Sequence, residues 1–247
     1  MHSTKSTIVF VFIMTAIVAV ILAGMFTALK PIHDSNEAIY NKRAILSAVK
    51  DHLGEELAQF SDEKVQEVFE TQIEQLVVDG NGEVLEDEYV ASLGYGEGKA
   101  ESVDLAKEVK KPDEDRVWPV FIYTSNGGKK FTIISTRGKG LWDAIWASVA
   151  LEDDLNTIAG VAFDHQAETP GLGAEIKDNP TFYNQFVGKK IFEDGQFRGI
   201  YVRKGGAKDP VYEVDGISGA TITADGVTAM LKNDIQNYEP YFNTVKG

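Results

Sequence analysis

The 247-residue chain carries 38 acidic against 24 basic side chains, a formal net charge of −14. That balance argues against recognition of nucleic acid through its phosphates and against adsorption to anionic lipid heads, since both need a basic face. No cysteine is present, which excludes disulfides, thiolate catalysis and cysteine-ligated iron–sulfur clusters on this chain.

The four histidines, His2, His33, His52 and His165, are too scattered to suggest a histidine-based zinc site. The hydrophobic share of 43% is ordinary for a folded protein, so global disorder is a poor reading.

From Ile8 to Leu29 no residue is charged, and Lys5 and Lys30 flank the run. Roughly 20 apolar residues cross a bilayer core as a helix, so residues 1–30 are expected to form a single transmembrane anchor. A cleaved signal peptide would have a shorter apolar stretch and a small-residue cleavage site. Pro31 and the Asp34-Ser35 pair are expected to break the helix after the anchor. Lys30, Lys42, Arg43 and Lys50 outnumber Lys5, which by charge count favours a cytoplasmic domain. Long domains translocate largely regardless of charge, so the count decides little.

A helical lead-in is expected over 31–75. Ile45, Leu46, Val49 and Leu53 fall at helical spacing, as do Val65, Val68 and Phe69. Ser61 can cap the second run, with Asp62 and Glu63 favourable in its first turn. Strand patterns then dominate. Hairpins are expected around Asp79-Gly80-Asn81-Gly82, around Ser125-Asn126-Gly127-Gly128 between Val117–Thr124 and Lys130–Thr136, and around Glu193-Asp194-Gly195-Gln196 between Ile191–Phe192 and Phe197–Val202.

Ile158–Phe163 reads as a buried strand and Glu101–Asp115 as a charged surface excursion. A terminal amphipathic helix is expected over Ala224–Phe242, with Val227, Met230, Leu231, Ile235 and Tyr238 on one face. Strands do not alternate with helices. The fold class is therefore α+β: one transmembrane helix, then a mainly antiparallel domain over 76–247 with flanking helices.

The stretch with the most chemical content is Asp215-Gly216-Ile217-Ser218-Gly219-Ala220-Thr221-Ile222-Thr223, between a strand expected at Val211–Val214 and the last helix. A helix start offers unpaired N–H groups and partial positive charge to a phosphate. Ser218, Thr221 and Thr223 supply hydroxyls. By local chemistry alone, the same residues also make an ordinary cap and turn.

Two other stretches stand out. His165-Gln166-Ala167-Glu168-Thr169-Pro170-Gly171-Leu172-Gly173 is a loop by its proline and glycine content, with Glu168 read in isolation as a solvated acid. Gly138-Lys139-Gly140-Leu141-Trp142-Asp143-Ala144-Ile145-Trp146 holds two tryptophans, and Trp146 is expected in the core. The basic pair Arg203 and Lys204 ends a strand before the motif.

The segment Asp215–Thr221 resembles the flavinylation signature of the FMN-binding domain family, in which a flavin transferase moves FMN from FAD onto the last threonine. The resemblance implies FMN in phosphoester linkage to Thr221, within a recognition frame of Asp215, Gly216, Ser218, Gly219 and Ala220, with Thr223 as fallback acceptor. It further implies that Glu168, Thr169, Gly171 and Leu172 line the flavin and that Gly140, Leu141 and Trp142 approach its ring. Read from the residues alone, Arg203 and Lys204 are either a solvated basic pair or candidates for stabilising negative charge on a reduced flavin or its phosphate.

Over nearly the whole chain, these segments resemble the C subunits of sodium-translocating NADH:quinone oxidoreductases. The G subunits of Rnf electron-transport complexes are the nearest alternative. The resemblance implies an electron relay between an iron–sulfur centre in neighbouring membrane subunits and the FMN of a second subunit, on the way to quinone. It implies a bacterial inner-membrane location with the flavin domain on the periplasmic side.

Gly94-x-Gly96-x-Gly98 lacks the strand and helix of a dinucleotide site and reads as a loop. A tethered extracytoplasmic sensor or ligand-binding module is the reading from a different class. A hydrolase is disfavoured by the absence of a Gly-x-Ser-x-Gly elbow.

Overall fold

The computed structural model describes residues 4–246; His2 lies outside them. The chain divides into two units, the first ending at Asn41 and the second beginning at Lys42.

The described residues of the first unit all belong to α1 (Thr4–Ser47), one continuous helix. Its most apolar 18-residue window averages a hydropathy of 2.9, with none of it buried. Such a helix is long and apolar enough to cross a membrane, and it fits a single-pass anchor. The break expected at Pro31 and Asp34-Ser35 does not occur. Pro31 removes only one backbone donor, and the helix continues before and after it. Lys30 pairs with Asp34 one turn on, at 2.8 Å, across the proline.

In the second unit the lead-in is shorter than its pattern suggested. After α1 the chain makes two single-turn 3₁₀ segments, then α2 (Asp62–Gln72). Ser61 caps α2 as expected, its hydroxyl accepting from the Lys64 amide. The chain is already extended at β1 (Ile73–Val78).

Short helices α3 (Asp87–Ser92) and α4 (Leu105–Glu108) precede β2 (Trp118–Thr124), β3 (Lys130–Lys139), β4 (Ala144–Leu151) and β5 (Ile158–His165). The five strands form one sheet in chain order, each antiparallel to the next. Register aligns Leu76, Val120, Ile134, Val149 and Val161 in a row across all five. Because side chains alternate, that row lies on one face and Phe121, Ile133 and Ala150 lie on the other. Both faces are buried. A strand covered on both faces loses polar alternation, which is why Ala144–Leu151 gave no strand signal of its own.

Small elements follow: α5 (Glu175–Asp178), α6 (Pro180–Tyr183), β6 (Phe192–Glu193), β7 (Gln196–Phe197), β8 (Tyr201–Arg203) and β9 (Glu213–Asp215). The last elements are α7 (Thr221–Asn237) and α8 (Glu239–Lys246). Val227, Met230, Leu231, Ile235 and Tyr238 join the row above in one core. On the opposite face the Phe69 ring of α2 meets Phe121.

Several expectations are corrected. The terminal helix starts at Thr221 and is interrupted after Asn237. Pro240 has no N–H with which to extend the ladder. The hairpin at 193–196 forms, but its second arm stops at Phe197, and β8 instead pairs parallel with β9. The hairpin at 79–82 is short: a bridge between Val78 and Val84, with Asp79 N donating to Glu83 O and Leu85 N to Val77 O, on the edge of β1 that β2 leaves free.

The charged segment 101–115 is anchored rather than a free excursion. Glu108 is fully buried and accepts from the Val117 amide and the Tyr95 hydroxyl. Lys111 pairs with it at 2.7 Å.

Candidate functional site

The sheet meander sets two connections side by side. The β3–β4 turn closes when Gly140 N donates to Asp143 O, 2.8 Å. Ile145 of β4 lies opposite His165 of β5, and Gln166 N donates to Ala144 O. The loop leaving β5 therefore runs beside the 140–143 turn. It folds on itself through Leu172 N and Ala174 N, both donating to Thr169 O.

Glu168 sits where these segments meet the start of α7. It is 4% exposed. Its Oε1 accepts from Trp142 N at 2.9 Å, and its Oε2 from the Thr223 hydroxyl at 2.6 Å. Its own amide donates to His165 Nδ1. Trp142 also donates from Nε1 to Thr169 Oγ1, 3.1 Å. All three stretches singled out in the sequence are thus joined, and the solvated acid expected at 168 is a buried carboxylate with its donors supplied. No sequence signal marks that burial; Glu beside proline and glycine ordinarily faces water.

At the head of α7, Ala220 is the cap residue and no side chain caps the helix. A 17-residue helix with an uncapped start directs free N–H groups and partial positive charge outward. Gly219 precedes it at φ +80°, a conformation that favours glycine, and a Cβ there would come within 2.7 Å of Leu172 Cδ2.

The two threonines of this turn differ. Thr221 is partly exposed, whereas Thr223 is buried and committed to Glu168. Ser218 and Gly219 are exposed, while Ala220 is buried.

Around this point, apolar side chains face outward: Trp142 at 65%, Ile222 at 58%, Leu141 at 43% and Leu172 at 41% exposed. Ile222 had escaped notice in the sequence; its signal is an apolar residue off the buried face of α7. Gly171 has φ +74° in the neighbouring loop.

Other expected residues do framing work. Asp215 Oδ1 accepts from Ala207 N at 2.6 Å, and its backbone N–H donates to the Gln185 side chain. Gly216 N donates to Arg203 O. Gln185 was also missed in the sequence, being one polar residue in a short turn. Arg203 is engaged by Glu213 at 2.6 Å, and Lys204 is exposed in the turn that follows.

Amides of Lys208 and Asp209, together with Arg203, hold the Glu213 carboxyl down at about 2. Trp146 is corrected from the core: it is half-buried, with the Arg137 guanidinium over its ring.

Residues 140–236 match the FMN-binding domain family, a span that begins at Gly140, ends in α7 and contains all three converging segments. The chain is 33% identical to the C subunit of the Na(+)-translocating NADH-quinone reductase of Neisseria meningitidis serogroup A, across 99% of this chain and 95% of that protein. The chain belongs to this family of C subunits. The Pseudomonas aeruginosa member is 32% identical, over 93% of this chain and 90% of its own length. The crystal structure of the member from Parabacteroides distasonis superposes with a TM-score of 0.72 at 34% identity, covering 87% of this chain and 96% of that one.

The protein is thus a subunit of an oxidoreductase complex, with the other subunits of that complex as partners. The residues present fit FMN. The uncapped helix start suits a phosphate, and the outward-facing indole and leucines suit a flat, largely apolar ring.

Proposed function

We propose that this subunit carries FMN esterified through its phosphate to the Thr221 hydroxyl and serves as an electron relay. The observation that carries the reading is the position of Thr221. It is a partly exposed hydroxyl in the first turn of an uncapped 17-residue helix, where the Gly140–Trp142 and Glu168–Gly173 segments converge.

Attachment consumes FAD. The Thr221 oxygen attacks the phosphorus on the flavin side of the pyrophosphate, the bridging P–O bond breaks and AMP leaves. The hydroxyl proton passes to a base of the flavin transferase.

Ser218, Gly219, Ala220 and the first amides of α7 would hold the phosphate, with Asp215 and Gly216 fixing the turn. Leu141, Trp142 and Leu172 would wall the ring, and amides near Thr169 and Gly171 would meet its polar edge. Gly140 would let backbone come close, and Lys204 would supply positive charge. FMN supplies reversible one- and two-electron chemistry when bound.

Electrons are proposed to arrive from an iron–sulfur centre in neighbouring membrane subunits and to leave for the FMN of a second subunit. Residues 1–30 would anchor the chain in the inner membrane, 31–75 would lead into the FMN domain over 76–247, and that domain would face the periplasm.

The test is production with and without a flavin transferase, followed by denaturing gel fluorescence and intact mass. Wild type should gain one FMN less one water, and Thr221→Ala should gain none. A wild type that stays dark beside an active transferase refutes the linkage.

A further inference from the structure

We infer that Glu168 is a positioning residue that selects Thr221 over Thr223 as the acceptor of the flavin. The inference rests on the Thr221 reading and deepens it. Two threonines stand two residues apart in the first turn of α7, and a transferase that meets both must distinguish them. Thr223 is 1% exposed, and its only hydroxyl proton is given to Glu168 Oε2 at 2.6 Å. A carboxylate acceptor by itself would activate a hydroxyl, so what removes Thr223 is burial: the bond to Glu168 keeps its oxygen turned inward, where FAD cannot reach it.

The other carboxylate oxygen takes the Trp142 amide at 2.9 Å. One side chain therefore fixes the α7 start against the 140–143 turn. Of the two threonines, that leaves Thr221 as the one that transferase and FAD can reach. Hydrogen bonds to a buried carboxylate are stronger than neutral ones, so losing both loosens the turn markedly.

The full-length chain is co-produced with the transferase. Flavin occupancy is read by absorbance after denaturation, and the acceptor is located by peptide mass spectrometry. Glu168→Gln keeps the geometry: its carbonyl accepts from Trp142 N, and its amide donates to Thr223 Oγ1. It should stay within about twofold of wild type, on Thr221 alone. Glu168→Ala should lose about tenfold in occupancy, or divide its label between the two threonines. Thr223→Val, matched in shape, should lose occupancy in the same direction.

Wild-type occupancy confined to Thr221 in Glu168→Ala overturns the inference, as does a Glu168→Gln variant as impaired as the alanine. Label on Thr223 in Thr221→Ala overturns it too. If circular dichroism shows Glu168→Ala unfolded, Thr223→Val decides: full occupancy there overturns the inference, and a loss that Glu168→Gln does not share supports it. A dark wild type removes the Thr221 assignment and this inference together, whereas a labelled wild type with indifferent variants removes this inference alone.

Discussion

Asp234, deep in the α7 face that covers the sheet, accepts a hydrogen bond from the Arg137 backbone amide of β3 at 2.6 Å. Burial raises its carboxyl to about 6, and the Arg137 amide and the charge of Arg116 only partly offset that rise. In the unfolded chain the group ionises near ~3.9. Its contribution to stability is therefore complete below about pH 4 and is lost as pH rises through about 6.

Asp234→Asn keeps an oxygen for the Arg137 amide and removes the charge. It should stabilise the protein by about 1–3 kcal/mol at pH 8 and change little at pH 4. Urea denaturation of the two proteins at both pH values checks the sign. Equal midpoints at pH 8 would refute it.

One turn further along, the Tyr238 hydroxyl lies 3.1 Å from Pro119 O and 2.9 Å from Ser135 O. This single buried donor ties the end of α7 to both β2 and β3. Burial pushes its ionisation far up, so it stays neutral at any working pH. Tyr238→Phe keeps the ring against Trp118 and removes the one proton that the Pro119 and Ser135 carbonyls share. A loss of about 1–3 kcal/mol is expected, visible as a lower melting temperature with the flavin site unchanged.

Gly173 gives a sharper test of how closely the site is packed. A Cβ there would lie 2.1 Å from Glu168 Oε2 and 2.7 Å from Thr223 Oγ1. Either the carboxylate or the loop must move. Gly173→Ala is therefore expected to break the Glu168–Thr223 bond and to lower flavin occupancy, while the sheet core, which it does not touch, keeps its far-ultraviolet dichroism. Wild-type occupancy in Gly173→Ala would show that the loop yields without consequence.

These residues also mark where the sequence was informative. The uncharged run Ile8–Leu29, the turn at Ser125–Gly128 and the Ser61 cap each rest on local rules, and local rules sufficed. The three site segments were visible as wording and glycine content. Their meeting point was not, because Glu168 is joined to Thr223 over 55 positions and nothing near Glu168 signals burial. The missing strand β4 has the same origin, since coverage on both faces erases alternation. The proline rule does not hold at Pro31, where one backbone donor is lost and the helix is present on both sides. Arg203 read as free charge until its partner Glu213, ten residues on, was brought beside it by the parallel pairing of β8 and β9.

Trp142 separates the contribution to function from the contribution to folding. Its ring is 65% exposed, and its indole N–H donates to Thr169. Its amide, the partner of Glu168, belongs to the backbone and survives substitution. Trp142→Ala should therefore change stability by no more than about 0.5 kcal/mol. If the indole walls the flavin ring, the same change uncovers the ring to water and relieves quenching by the indole. Flavin emission from the folded, flavinylated variant should then rise several-fold at unchanged occupancy, with the melting temperature unmoved. Unaltered emission would place the ring elsewhere and leave Leu141 and Leu172 as its walls.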